Sequence, residues 1–367
     1  MLIQHGKKGN GVQANDELNM NADANQQRNA PLITFLMPCY NSASFMRRGV
    51  ESLLKIEHSC EILLVNDGSS DETSAIAHEY ADRYDHVIAV DQENSNWGGV
   101  VNRGISMAQG TYFKVIDSDD SFDQQALNRV LETLKQAVET GNEPDLLITN
   151  YVYDHKASGT QREMQYRSFF PVDRLFTWDE MGRPGLDKFI MIHAAWYKTS
   201  ILRESGVVLP TKVSYMDSLL LLHPMPFVET LYYLDVAPYR YLIGREGQSV
   251  EIDVVKKHID EQILATKLAI DDVDYGELLQ AQPNCGMLML GYVSCMMSVS
   301  TIHLFMINTP ESLKKNDELW DYMREKNPVL YDHVRRSWAG RANRKTALGR
   351  RVARAGFAIA QKLYKFA

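Results

Sequence analysis

The sequence predicts an α/β fold, a mostly parallel sheet flanked by helices, with a helical extension at the C-terminal side. Three observations lead there. Short apolar runs alternate with helix-period segments up to about residue 150. Clusters of polar residues stand directly after three of those runs. From Ile252 onward the apolar spacing is helical.

The elements follow in order. Leu32-Ile-Thr-Phe-Leu-Met37 reads as a buried strand that stops at Pro38-Cys-Tyr-Asn-Ser42. Phe45, Met46, Val50, Leu53 and Leu54 then share one helical face, with Ser42 or Ser44 as the cap. Glu61-Ile-Leu-Leu-Val-Asn66 is a second strand, broken by Asp67-Gly-Ser-Ser-Asp71. Ile76, Tyr80 and Tyr84 recur at helical spacing, Val87 to Val90 is a third strand, and Ile105 and Ala108 mark the next helix. Tyr112 to Ile116 is a fourth strand, ending in Asp117-Ser-Asp-Asp120. Leu127, Val130, Leu131, Leu134 and Val138 form a helical stripe, and Leu146 to Thr149 is a fifth strand. Right-handed crossovers make such a sheet mostly parallel, and ligands then sit beyond the carboxyl ends of its strands. The three polar clusters therefore meet in one cleft.

Residues 151–250 are less regular and rich in aromatics and proline. No Asp, Glu, Lys or Arg lies between Glu277 and Glu311, and Met287 to Ile307 is apolar enough to raise the question of a membrane span. Gly291, Ser294, Ser298 and Thr301 form a small polar stripe at helical spacing, which favours a helix packed on its neighbours. The formal net charge of −8 is uneven. From Val334 to Ala367 there are ten Lys or Arg and no Asp or Glu, which leaves 29 basic against 47 acidic residues in the remainder. An acidic body argues against nucleic acid as the partner, and the basic end suits something anionic. Cys39, Cys60, Cys285 and Cys295 show no metal or disulfide spacing, so a reducing, cytoplasmic setting is expected. Residues 1–30, rich in Asn, Gln and Gly, show no signal peptide and read as disordered.

Asp117-Ser-Asp-Asp120 is the sharpest chemical signal. Two carboxylates two residues apart at a strand end point the same way, and hard cations such as Mg²⁺ or Mn²⁺ take oxygen ligands of this kind. A calcium loop of the EF-hand kind fails, because Phe122 stands at the turn-glycine position and Asn128 at the closing Glu. Neither a GxGxxG nor a GxxxxGK[ST] phosphate loop occurs. A phosphohydrolase with an aspartyl nucleophile remains open on the residues alone. So does an acidic turn ahead of a capped helix.

Phe35-Leu-Met-Pro-Cys-Tyr-Asn41, then ILLVNDGSSDET from Ile62, then GTYFKVIDSDDSF from Gly110, resemble in order and spacing the nucleotide-sugar motifs of glycosyltransferase family 2. YMDSLLLLHPMPF from Tyr215 and APYRYLIGREGQSV from Ala237 resemble the acceptor-side motifs of bacterial members that build surface polysaccharides. The likeness covers roughly residues 32–250. It implies a GT-A nucleotide-diphospho-sugar transferase domain, its nucleotide-sugar half at 31–150 and its acceptor half at 151–250, followed by a helical region at 251–334 and a basic tail at 335–367. It also implies roles. Tyr40 would stack on the nucleobase, Asp67 would accept from uracil N3–H, and Asp117 would face ribose or metal. Asp119 would ligate the metal, with Asp120 as a second ligand or a positioning carboxylate. Pro38, Asn41, Asn102, Lys114 and Ser118 join the donor side, and Arg245 and Ser249, in a loop with Tyr241 and Gln248, would close near the diphosphate. Asp217 would be the base of an inverting reaction. The implied partners are a nucleotide sugar, most readily a UDP-hexose, and a glycan or lipid-linked acceptor.

Two departures concern the sugar donor. Val101 takes the place of a frequent Arg within Trp97-Gly-Gly-Val-Val-Asn-Arg-Gly104, so Arg103 or Lys114 would have to supply that contact, and Asn66 replaces a frequent Asp. His193 reads either as an acceptor-facing group or as a structural histidine. The tail, with Val352, Phe357, Ile359, Leu363 and Phe366 among its charges, reads either as a helix on the anionic inner face of the cell membrane or as a solvated terminus.

Overall fold

The apolar runs form strands where they were expected. In the computed structural model they are β1 (Ile33–Cys39), β2 (Cys60–Asp67), β3 (Val87–Gln92) and β4 (Tyr112–Val115), alternating with α1 (Met46–Leu53), α2 (Thr73–Ala81) and α3 (Asn96–Met107). Residues 30–364 are described, apart from 57, 156–158, 184–188, 245–251 and 345. Segment 1–29, Arg245, Gln248 and Ser249 lie outside the described residues. β1 pairs in parallel with β2 on one side and β4 on the other, Ile33 opposite both Cys60 and Tyr112. The chain thus reverses its winding between β1 and β4, and the crevice of an open α/β sheet opens at such a point.

The second half of the sheet is mixed. After β5 (Ser121–Phe122) and α4 (Gln124–Thr140) come β6 (Leu146–His155), β7 (Thr160–Met164), β8 (Leu175–Phe176), β9 (Ala195–Lys198) and β10 (Leu231–Ile243). The main order is β3-β2-β1-β4-β9-β6-β10-β5. β9 runs antiparallel between β4 and β6, while β6 and β10 are parallel. The expected fifth strand is the start of β6, which continues through Tyr151 and Tyr153 because β7 and β10 pair with it. β10 escapes a periodicity reading because Pro238 lies in its middle. The strand accommodates it with a register shift between Leu234 and Tyr239, and the freed Pro238 carbonyl accepts the Asp123 N–H at 2.7 Å.

An aromatic floor lies under the β4 end. Phe122 packs against Phe35, Trp196 and Tyr239 with centroids 5.3–5.7 Å apart. α5 (Thr199–Glu204) and α6 (Asp217–Leu222) complete this half. The helical region follows as α7 (Ile252–Lys257), α8 (Ile259–Asp271), α9 (Tyr275–Ala281), α10 (Pro283–Ile307), α11 (Pro310–Lys326), α12 (Pro328–Val334), α13 (Trp338–Ala342) and α14 (Ala347–Tyr364).

α10 is the one helix among the described residues long and apolar enough to cross a membrane, and half of its most apolar window is buried. Its polar side chains find partners on its neighbours. Ser300 lies 3.0 Å from Thr266, Ser294 lies 2.6 Å from Ser337, and Trp320 donates to Thr301 at 3.0 Å. Those pairings are what a central helix of a packed bundle needs.

Candidate active site

The loops after β1 and β2 are laced together. Asn41, in the left-handed region at φ 47°, donates its N–H to Ser69 Oγ at 2.9 Å, and its Oδ1 accepts the Ser70 N–H at 2.9 Å. Asn41 thus shapes the loop and leaves Tyr40, 56% exposed, projecting from it. Asp67, buried at the end of β2, accepts at Oδ1 from Gln92 Nε2 (2.8 Å), Ser95 N (2.8 Å) and Ser95 Oγ (3.1 Å). Asn66 ties β2 to Asp91 of β3 at 2.8 Å. Pro38, half-buried at the end of β1, pairs with Val65.

The acidic turn after β4 is held from several sides. Trp97 Nε1 donates to Asp117 Oδ1 at 3.0 Å, Arg48 donates to the Asp119 carbonyl at 2.6 Å, and Ser118 Oγ meets Ser42 Oγ at 2.8 Å. The Tyr239 phenol accepts from the Asp117 N–H (3.2 Å) and donates to Asp120 Oδ2 (2.6 Å), while Leu242 N donates to Asp120 Oδ1 (2.8 Å). Asp120 is fully buried, with both oxygens engaged. These bonds anchor the turn to β10, the positioning role of the two open to Asp120. Asp117, Asp120 and His193 do bring ligand atoms within 4.8 Å of one another, so the acidic cluster is metal-capable. The His193 ring is stacked on Tyr239 and tilted against Tyr241, with centroids at 4.7 and 4.4 Å. Burial, then the Lys114 charge, pulls its pKa down to about 3, so it is neutral and built into the wall.

Burial, and then the neighbouring Asp119 charge, pushes Asp117 up to about 7, and Asp217 adds to that push. Asp217 opens α6, and burial raises it too. Asp117 therefore feels both Asp119 and Asp217 as like charges.

Two donor-side expectations are corrected. Lys114 is 1% exposed, and its Nζ donates to the carbonyls of Ile192 (2.9 Å), His193 (2.6 Å) and Ala195 (3.0 Å). Burial drags its pKa well down, but three carbonyl acceptors require three N–H groups, and Asp117 and Asp120 pull the other way. We read it as an ammonium that ties β4 to the segment entering β9. Asn102 grips one residue twice, donating to the Leu209 carbonyl and accepting from the Leu209 N–H, both at 2.8 Å. The Lys114 amine has no N–H left over for a nucleotide diphosphate, and the Asn102 amide is turned to the Leu209 backbone. Val101 is core, and Arg103 is exposed on α3.

The sequence does not single out Trp97, Tyr239 or Arg48 as site residues. The Gly98-Gly99 pair after Trp97 is the signal that was available for the first. A Cβ on Gly98 would come within 2.5 Å of the Pro210 carbonyl, so this helix start is packed against another backbone.

A model of "Glycosyl transferase family 2" matches residues 34–197, which spans β1 through most of β9. Residues 34–197 are a family 2 glycosyltransferase domain. The family 2 domain is 35% identical over 130 residues to the putative glycosyltransferase EpsH of Bacillus subtilis (strain 168), covering 35% of this chain and 36% of that relative. It is 34% identical over 132 residues to glycosyltransferase GlyG of Streptococcus pneumoniae serotype 4, covering 35% and 42%. The chain thus matches little more than a third of the length of these curated relatives. Among solved structures, S. aureus TarS 1-349 aligns with TM-score 0.63 at 16% identity, over 90% of this chain and 92% of that one. TarS 1-349 in complex with UDP aligns with TM-score 0.55 at 14% identity over the same shares. The fold is GT-A, and the family 2 match takes the place of the phosphohydrolase reading of the acidic turn.

Proposed function

We propose that the chain is an inverting, metal-dependent glycosyltransferase that moves a hexose from a UDP-sugar to an acceptor hydroxyl on a glycan or lipid-linked carrier, in assembly of a bacterial surface glycan. One observation carries this reading: Asp117, on the acidic turn after β4, is pushed up to about 7 by burial and then by the charge of Asp119, and Asp217 adds to the push. An all-oxygen, mutually repelling set suits a hard divalent cation, Mg²⁺ or Mn²⁺. Asp117 and Asp119 would hold it. When bound, such a cation neutralises charge on the departing diphosphate.

The chain's own residues supply the rest. Trp97 orients the Asp117 carboxylate, and Arg48 and Tyr239 fix the turn. The exposed Tyr40 ring offers a face to the nucleobase, and Asp67, held by Gln92 and Ser95, offers a fixed acceptor. Burial raises Asp217, which suits it to take the acceptor hydroxyl proton as that oxygen attacks opposite the leaving group. The four cysteines are free thiols, which supports a cytoplasmic reaction.

The test is calorimetric titration of UDP, the nucleotide seen with TarS, with and without Mn²⁺, on the wild type and Asp119→Ala. Binding that needs both the metal and Asp119 supports the donor site and opens a screen of UDP-sugars for transfer. Metal-independent binding, or none, overturns the assignment.

A further inference from the structure

α14 sits on the molecule with its apolar stripe facing outward. Leu348 is 72% exposed and Val352 65%, and Ala355 is exposed with them, at the i, i+4, i+7 spacing of one helix face. The other face is the docked one. The Phe357 ring meets His303 of α10 edge-on at 6.0 Å, and Arg350 Nε donates to Asn308 Oδ1 at 3.3 Å. A helix that served only solubility would show the reverse arrangement.

The charges name the occupant. Arg351 and Arg354 flank the stripe, and Arg335, Arg336, Arg341 and Arg344 precede it. Asp332, paired with Arg335 at 2.7 Å, is the last acid of the sequence. The rest of the chain has 47 acidic residues against 29 basic. An anionic surface therefore attracts this end of the chain and repels the remainder, which sets orientation as well as affinity.

We propose that α14 is an interfacial helix that docks the protein on an anionic lipid bilayer, with Leu348 and Val352 entering the acyl boundary and the arginines at phosphate level. An amphipathic helix with basic residues beside its apolar face binds in this way. Each arginine near an anionic leaflet is worth about fivefold in partitioning. Burying Leu and Val contributes roughly tenfold or more per side chain. The inference stands apart from the sugar-transfer reading, since it uses none of the crevice residues.

The experiment is co-sedimentation of the full-length protein with phosphatidylcholine vesicles, with and without phosphatidylglycerol. Leu348→Glu/Val352→Glu and Arg351→Glu/Arg354→Glu are compared with the wild type after thermal melts confirm folding. The expected result is binding to anionic vesicles only, weakened by salt, about tenfold or more weaker in each double variant. Four results overturn it: no binding by the wild type, equal binding to neutral vesicles, unchanged binding by Leu348→Glu/Val352→Glu, or a lipid-free dimer that this variant dissociates. The last would make the stripe a contact between copies. UDP affinity, measured on the same samples, reports the donor site separately.

Discussion

Replacing Lys114 by Met keeps most of the unbranched side chain, one atom shorter, and removes its three hydrogen bonds. The wild-type ammonium binds three buried carbonyls at 2.6–3.0 Å and lies 4.8 Å and 5.1 Å from the Trp196 and Tyr239 ring centroids. Bonds from a charged donor contribute about 1.5–3 kcal/mol each, and part of that gain is offset by the cost of dehydrating the ammonium. Removing one partner of a buried charged network costs about 3–5 kcal/mol, because the groups left behind stay buried and unpaired. Here those groups are three carbonyls and the nearby Asp117 and Asp120 carboxylates. We expect Lys114→Met to lose about 3–5 kcal/mol in urea unfolding, read as a lower midpoint at unchanged slope. A loss below about 1 kcal/mol, the most that an exposed ion pair is worth, would refute the structural role. If that small loss came with abolished UDP affinity, Lys114 would return to the donor site.

Three more outcomes follow. Trp97→Phe removes only the N–H on Asp117, so Mn²⁺-dependent UDP affinity should fall about tenfold while the melting temperature holds, a hydrogen bond to a charged group being worth about 1.5 kcal/mol or more; unchanged affinity would show that Asp117 needs no such orientation. Gly98→Ala places a methyl 2.5 Å from the Pro210 carbonyl and 3.1 Å from Leu209 Cβ. It should cost about 1–3 kcal/mol in denaturation, whereas Gly291→Ala, where nothing lies within 4 Å, should be neutral or mildly stabilising. His223 points Nδ1 at Asp272 Oδ1 (2.6 Å) and Nε2 at the Ser205 carbonyl (2.9 Å), which makes both nitrogens donors, and the Asp272 hydrogen bond raises its pKa above 6.5. Its contribution is therefore complete below pH 6.5 and lost as pH rises through the raised value. Melting temperature should drop between mildly acidic and alkaline pH in the wild type and drop less in His223→Gln, and parallel curves for the two would refute the assignment.

The first four strands were legible because each is an apolar run stopped by polar residues, and the acidic turn was legible because two carboxylates follow such a run. Residue type at a strand end does not say which group a side chain meets. Lys114, two residues before Ile116, looked available to a phosphate, yet its amine is enclosed by carbonyls nearly 80 residues away in the chain. Asn102 was misplaced for the same reason, since its partner is Leu209. β9 was hidden because four residues carry too little pattern, and β10 because its proline reads as a break. Trp97 and Tyr239 act on the turn through contacts that only the folded sheet creates.

The Tyr239 bridge also bears on the order of events during synthesis. Asp120 meets its two partners across 119 and 122 residues of chain. A nascent chain that has completed β1 to β4 still lacks both, and its Asp120 carboxylate stays in water. The crevice can close only when β10 emerges from the ribosome and its bulge reaches back across the sheet. Long-range closures of this kind are slow steps in folding. A ribosome stalled at residue 230 would therefore display every β1 to β4 motif of this chain, with Trp97, Arg48 and Ser42 in reach of the turn but without its anchor on β10.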